Sequence, residues 1–345
     1  MTLRRQKKLA ATALVAVGVL TLAAWYWQWG RTKEPVYGNK TLSQLLYNDS
    51  PDYVWIPNDL YGHIHDELWA QITAAPTERS ARREEWKFMQ PQVSTDEAYR
   101  IGTNAIPWLI RWMEVEPTGW DKLCDWVAPR LPVALGSRLF PYHGLTWHWH
   151  TAAFQGFTDL GTNAEPALPA LSNRLWNAKV DLPLTWAVAN IGPRGIVLLT
   201  NMLMSTNARL RDSAALALGL KYEKARVALP ALVACVERWQ ASNDVLGAIG
   251  RIGGDYPPLV PALVRLLEDT NPPPQAALDD YMAALVLGLQ GDRARAAVPA
   301  LLSLYRAADS DNSRRMLRRV LKNISPDTED QLPPPGPDET GDNWP

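Results

Sequence analysis

The feature that most constrains this chain is a phrase that returns: an aliphatic residue, then proline, then a run with helical spacing. It stands at Ile106-Pro107, Leu168-Pro169, Leu229-Pro230, Val260-Pro261 and Val298-Pro299. Four of the five continue as "PAL", and Pro107 continues as "PWL". The prolines are spaced as two, two, one and one copies of a single unit. The unit between Pro169 and Pro230 survives as "IGPRGIVLLTNMLM", with Val197 in the proline's place. A fixed period of roughly 30 residues signals a stacked-repeat architecture, in which no unit buries its apolar face alone.

Within each phrase the apolar residues step by three and four, as in Leu168, Leu171 and Leu175, or Leu229, Leu232 and Val236. Such steps fall on one face of a helix. The trios Val260, Leu263, Leu267 and Val298, Leu301, Tyr305 repeat the pattern. The prolines mark where the helix begins, because the first amides of a helix have no intrahelical partner and little is lost there. A second helix precedes each one, read in "DSAALALGLK", "DVLGAIGRIGG" and "DYMAALVLGLQG". "GTNA", at 102–105 and again at 161–164, is the joint: a glycine suited to positive φ, followed by Thr and Asn able to cap the next helix. Six pairs follow, at 94–114, 147–177, 181–205, 207–240, 243–269 and 272–307, with a closing helix at 311–324.

The pattern "LG…A…PAL..L", in "LGTNAEPALPALSNRL" and "LGLKYEKARVALPALVACV", resembles HEAT repeats of the armadillo-like class. It is most similar to the short bacterial kind, also found in phycobilin lyases of the E/F type. The likeness runs over 94–324. It implies an all-α fold: an α-solenoid of about six HEAT-like helix pairs with a capping helix. A repeat pattern of this kind specifies architecture far better than function.

The amino terminus reads as a membrane signal. Residues 1–8 carry Arg4, Arg5, Lys7 and Lys8, and residues 9–29 hold no charge. As a helix that stretch would rise about 32 Å, enough for a hydrocarbon core of roughly 30 Å. It ends in a belt of Trp25, Tyr26, Trp27 and Trp29, rings that prefer the headgroup level. The positive-inside rule puts the amino terminus in the cytoplasm and the rest outside it, periplasmic or external. The first reading is therefore one transmembrane signal anchor, 9–29. A cleaved secretory signal ending near "TLAA" is the rival, and both export the bulk of the chain.

Three stretches fall outside the period. Residues 31–93 form a membrane-proximal segment with Trp and Pro, expected to fold onto the first repeat. Residues 115–146 interrupt the period as an insertion or a degenerate unit, the kind of long connection where function often sits. The tail 325–345 holds six acids, six prolines and no basic residue, and is expected to be disordered.

Charge argues against nucleic acid: 35 basic residues offset 36 acidic ones. Cys124 and Cys235 match no metal or redox spacing and read as buried free thiols, with a disulfide as the alternative. His63 with His65, and His148 with His150, are the weak metal candidates. Residues two apart share a face on a strand but lie about 200° apart on a helix, and "HWHTAAF" reads as helix. No third ligand stands at zinc-site spacing near either pair, so no metal and no cofactor is expected. Dense tryptophans make Trp108, Trp112, Trp147 and Trp149 the candidate binding residues, as rigid aromatic anchors. Their alternative is to fill the joint between the insertion and the stack. The basic helix 311–324, with Arg314, Arg315, Arg318, Arg319 and Lys322, reads as the polar face of a terminal repeat.

No nucleophile elbow, Walker loop, dinucleotide fingerprint or kinase signature is present. The expected function is a non-catalytic, membrane-anchored scaffold that binds one or more protein partners outside the cytoplasm. The alternative is an enzyme or ligand-binding protein of bilin-lyase-like or metal-dependent type using the repeat groove.

Overall fold

The computed structural model describes residues 36–37, 40–42, 68, 70–71, 102–115, 119, 122, 126, 145–177, 182–238, 242–268 and 280–333. Contacts divide the chain into a unit of residues 1–49 and a unit of residues 50–345. In the first, Val36–Tyr37 (β1) pairs antiparallel with Lys40–Thr41 (β2), and Leu42 beside them is buried. In the second the fold is all-α.

Twelve α-helices are described in chain order. They are α1 (Ile106–Met113), α2 (Leu145–Leu160), α3 (Leu168–Asn177), α4 (Leu182–Asn190), α5 (Pro193–Met202) and α6 (Ala208–Gly219). Then come α7 (Leu229–Glu237), α8 (Asn243–Ile252), α9 (Leu259–Glu268), α10 (Asp280–Gln290), α11 (Val298–Ala307) and α12 (Asp311–Ile324). The even-numbered helices pack each on the next, α2 on α4, then α6, α8, α10 and α12. Among the odd-numbered ones, α7 packs on α9 and α9 on α11. Helices adjacent in sequence touch as well, α4 with α5 and α5 with α6, for example. This succession of helices is compatible with a helical-repeat solenoid.

The two rows differ in burial, and the sequence says why. An odd-numbered helix such as α9 has one apolar stripe, Leu259, Ala262, Leu263 and Leu266, with Arg265 and Glu268 outside it. Of the expected Val260, Leu263 and Leu267, Leu263 is fully buried, while Val260 and Leu267 are only half-buried and Leu259 and Leu266 face inward in their place. The inner even-numbered helices are buried nearly all round and largely apolar: in α8 every residue from Val245 to Ile252 is buried, Arg251 included, and in α10 every residue from Met282 to Gly288. Helices of that composition need cover on every side. Part of the cover on α8 is Leu68, fully buried, whose two δ-carbons lie 2.9 Å from where a Cβ on Gly250 would stand. Leu68 thus packs on the fifth pair, while most of the 31–93 segment lies outside the described residues.

Three of the corners are not capped turns but 3-10 helices of seven residues: Gly161–Ala167, Tyr222–Ala228 and Gly291–Ala297. Gly102–Ala105 is a shorter one of four residues. The glycine of each "GTNA" does have positive φ, 62° at Gly102 and 52° at Gly161. The expected Thr and Asn caps are absent, and α1 follows its corner with no side-chain cap. The corner prolines sit at the first or second helical position of α1, α5, α7 and α11, where the missing amide costs little. Side-chain caps occur instead at the front of the even row: Asn207 on α6, Ser242 on α8 and Ser310 on α12.

The last helix begins and ends where its spacing placed it, at 311 and 324. The tail expected to be disordered from 325 is folded as far as Pro333. Pro326–Gln331 forms a 3-10 helix on α12, and Thr328 is buried. Arg318 holds it, donating to the Pro333 carbonyl at 2.6 Å and to the Tyr305 hydroxyl at 2.9 Å. Residues 9–29 lie outside the described residues, as do His63, His65, Cys124 and most of the 115–146 insertion. Among the described residues no helix is long and apolar enough to cross a membrane.

Candidate functional site

Two places carry the chemistry to be weighed. The first is the junction of α1 and α2, where the tryptophans cluster. Trp112 is buried at 5% exposure and its ring centroid lies 5.1 Å from that of Trp149. This tilted pair locks α1 onto α2, the packing role of the two alternatives, and leaves Trp112 little surface for a partner. Trp108 is half-buried, with the Arg111 guanidinium over its ring at 5.9 Å. Of the histidines, His150 uses Nε2 on the Val115 carbonyl at 3.1 Å. The side chains of Trp147 and His148 lie outside the described residues. The described part therefore brings Trp112 and Trp149 together, and it gives His150 a backbone partner. Among the described residues no three His, Cys, Asp or Glu side chains converge as a metal site.

The second place is the carboxyl ends of α2, α4 and α6, where spacing gave no warning. Lys221, just past α6, donates from Nζ to Asn190 Oδ1 at 2.5 Å. Asn190, the last residue of α4, donates from Nδ2 to Thr158 Oγ1 at 2.9 Å. Thr158 on α2 donates to the Phe154 carbonyl at 2.9 Å, which closes the line. Beside it Asp159 accepts from Gln155 at 2.8 Å. Burial pushes the Asp159 carboxyl up to about 7, against the opposing Gln155 hydrogen bond. Burial, helped by the charge of Lys224, pushes the Lys221 ammonium down to about 8. Two ionisable groups thus titrate near neutrality within one edge of the helix stack.

The opposite ends of the even row hold a different cluster. Asp212 on α6 accepts from the Ser242 hydroxyl at 2.7 Å, which ties two successive units together. Burial raises Asp212 above the usual carboxylate range, opposed by Ser242 and Arg211. Burial first, then the negative charge of Asp212, pushes Asp244 up to about 6. Cys235 is free and buried, donating to the Leu203 carbonyl at 3.4 Å, in keeping with the free-thiol alternative. Burial raises its thiol above the ordinary value, so it is a packing group and not a nucleophile.

No protein-family model matches the sequence, and no curated protein matches it.

Proposed function

We propose that the chain is a non-catalytic scaffold: a HEAT-like α-solenoid, anchored by residues 9–29 and displayed outside the cytoplasm, that binds a protein partner along its repeat surface. The observation that supports this reading most is the unequal burial of the two helix rows. The inner helices of the even row are covered on all sides, so the odd row presents the accessible surface. That surface exposes large apolar side chains, Trp176, Val197 and Met204. Trp176 stands seven residues after Pro169, and Met204 seven after Val197, so the two hold the same register in successive units. Aromatic and methionine side chains repeated at one register suit a partner spread over several repeats. Trp108, half-buried on α1 of the same row, is a further contact candidate.

The test uses the full chain crosslinked in intact membranes, then captured and identified by mass spectrometry. A partner recovered near one to one, and lost in the double variant Trp176→Glu/Met204→Glu, supports the scaffold reading. Both residues are exposed, so the variant keeps its fold within about 0.5 kcal/mol per site. Equal recovery with the double variant refutes the assigned surface. Protease protection in intact cells, lost on permeabilising the envelope, tests the export.

A further inference from the structure

The corner between α6 and α7 breaks the chain's own rule at two neighbouring positions. In the described corners a positive-φ residue opens the connection, and it is glycine at 102, 161, 192, 253 and 291. Here it is Tyr222, buried, at φ 48°, the one non-glycine with positive φ among the described residues. A side chain in that region strains the backbone, and such strain persists where the surroundings hold it in place. The residue just before also departs. At that position Leu160, Ile191 and Ile252 are buried aliphatics, and the last corner has Gln290. This corner alone puts a cation there, Lys221.

The ammonium of Lys221 is poorly compensated. One of its three N–H groups is used on Asn190 Oδ1. Its acceptor is a neutral amide, whose own donor is directed away to Thr158. Among the described residues no carboxylate pairs with Lys221, and the charge that acts on it is another cation, Lys224. Asp159, which follows Thr158 on α2, accepts from Gln155 and not from Lys221. A partly buried ammonium with two donors to spare, three residues before the exposed Lys224 and with no carboxylate bonded to it among the described residues, has the donor set of an anion site, at a corner that also carries the exposed Glu223.

We propose that the Lys221–Tyr222 corner binds a small oxyanion, a carboxylate or phosphate group held between the ammonium groups of Lys221 and Lys224. Asn190 and Thr158 orient Lys221 by the fixed direction of their hydrogen bonds. Tyr222 sets the path of the corner that carries Lys224 round beside it. The ligand supplies the negative charge that the helix stack does not.

The test is a pH titration of the full chain labelled at lysine Cε, followed by NMR, with the Lys221 signal assigned through Lys221→Ile. Isoleucine is what the corners at 191 and 252 carry, so this variant is compatible with the fold. In chloride the Lys221 midpoint stands near 8. Inorganic phosphate or acetate, added at constant ionic strength, raises it saturably by about one pH unit, which corresponds to about tenfold tighter anion binding to the charged form. A response to phosphate alone assigns a phosphoryl group, and a response to acetate alone assigns a carboxylate. Thermal stabilisation by the responding anion is retained in Lys221→Arg and lost in Lys221→Ile. A midpoint that moves with neither anion overturns the proposal. So does stabilisation that survives unchanged in Lys221→Ile.

Discussion

Replacing Asp159 by asparagine should stabilise the protein at neutral pH and leave it unchanged in acid. Asp159 sits in the last turn of α2, accepts from Gln155 at 2.8 Å, and is raised by burial to about 7 from an ordinary 3.8. Because the folded value lies above the unfolded one, the folded chain holds the proton more tightly between pH 4 and 7. Stability from this group is complete below about pH 4 and is lost as pH rises toward 7. At about 1.4 kcal/mol per pH unit the whole interval would amount to roughly 4 kcal/mol. The carboxyl is only partly buried, and solvent screening reduces this to roughly 1–2 kcal/mol. Asparagine keeps the oxygen that accepts from Gln155 and never ionises. Urea denaturation of the full chain, followed by tryptophan fluorescence at pH 4.5, 6 and 8, measures the difference directly. The two proteins should agree within error at pH 4.5. By pH 8 the variant should be ahead by that screened amount, roughly 1–2 kcal/mol. A gain that is the same at every pH, or a variant less stable at pH 8, refutes the assignment of a buried, unpaired carboxylate.

Lys221 provides the complementary window. Its folded value, about 8, lies below the ordinary 10.5, so stability should rise with pH between 8 and 10.5, and Lys221→Ile should abolish that rise when the urea denaturation is extended through that pH interval. Gly195 on α5 packs against the Val188 carbonyl so closely that a Cβ would overlap its oxygen. Gly195→Ala should cost more than about 2 kcal/mol despite alanine's better helix propensity of about 1 kcal/mol, read from the urea midpoint. Leu263→Ala, in the fully buried stripe of α9, should cost about 2–5 kcal/mol, whereas Ser303→Ala on the exposed face of α11 should stay within about 0.5 kcal/mol. Gly250→Leu should displace Leu68 from α8, and amide exchange at Ala70 and Gln71 should then quicken while the helical circular dichroism persists.

The odd row was legible because its signal is local. Proline fixes φ and an orphan amide tolerates it, so Pro230 and Pro299 announce the first turns of α7 and α11 whatever lies around them. The closing helix was legible for the same reason, its apolar Met316, Leu317, Val320 and Leu321 alternating with arginines at helical spacing. What sequence spacing missed is set between elements. Whether Val260 or Leu259 faces inward depends on how α9 docks, which a single-helix pattern leaves open by one residue. Leu68 on Gly250 joins segments far apart in sequence, and the only trace in the sequence is a glycine in a helix that had no local need of one. The ordered stretch up to Pro333 was hidden by its composition, because a polar segment held by one buried cation, Arg318, looks like a free tail.

The polar edge was missed for a more instructive reason. Tryptophan and histidine were weighed by their abundance and spacing, and abundance is what a core built from large rings also produces. Trp112 stacked on Trp149 satisfies a structural need. Lys221 ties the end of α6 to the end of α4 through Asn190, a bond that a neutral donor could also make. Aligned with its own sister corners, the chain shows an uncharged residue, aliphatic at 160, 191 and 252 and glutamine at 290, then a glycine, where this one unit has lysine and tyrosine. In a stacked-repeat chain the common residues report what every unit needs in order to stack. The departure costs strain at Tyr222 and desolvation at Lys221, and Ile191 and Ile252 serve the same corners without either cost. In such a chain function is therefore better sought where one unit breaks the repeat than where many units agree. By that criterion the corner after α6 outranks the aromatic junction between α1 and α2.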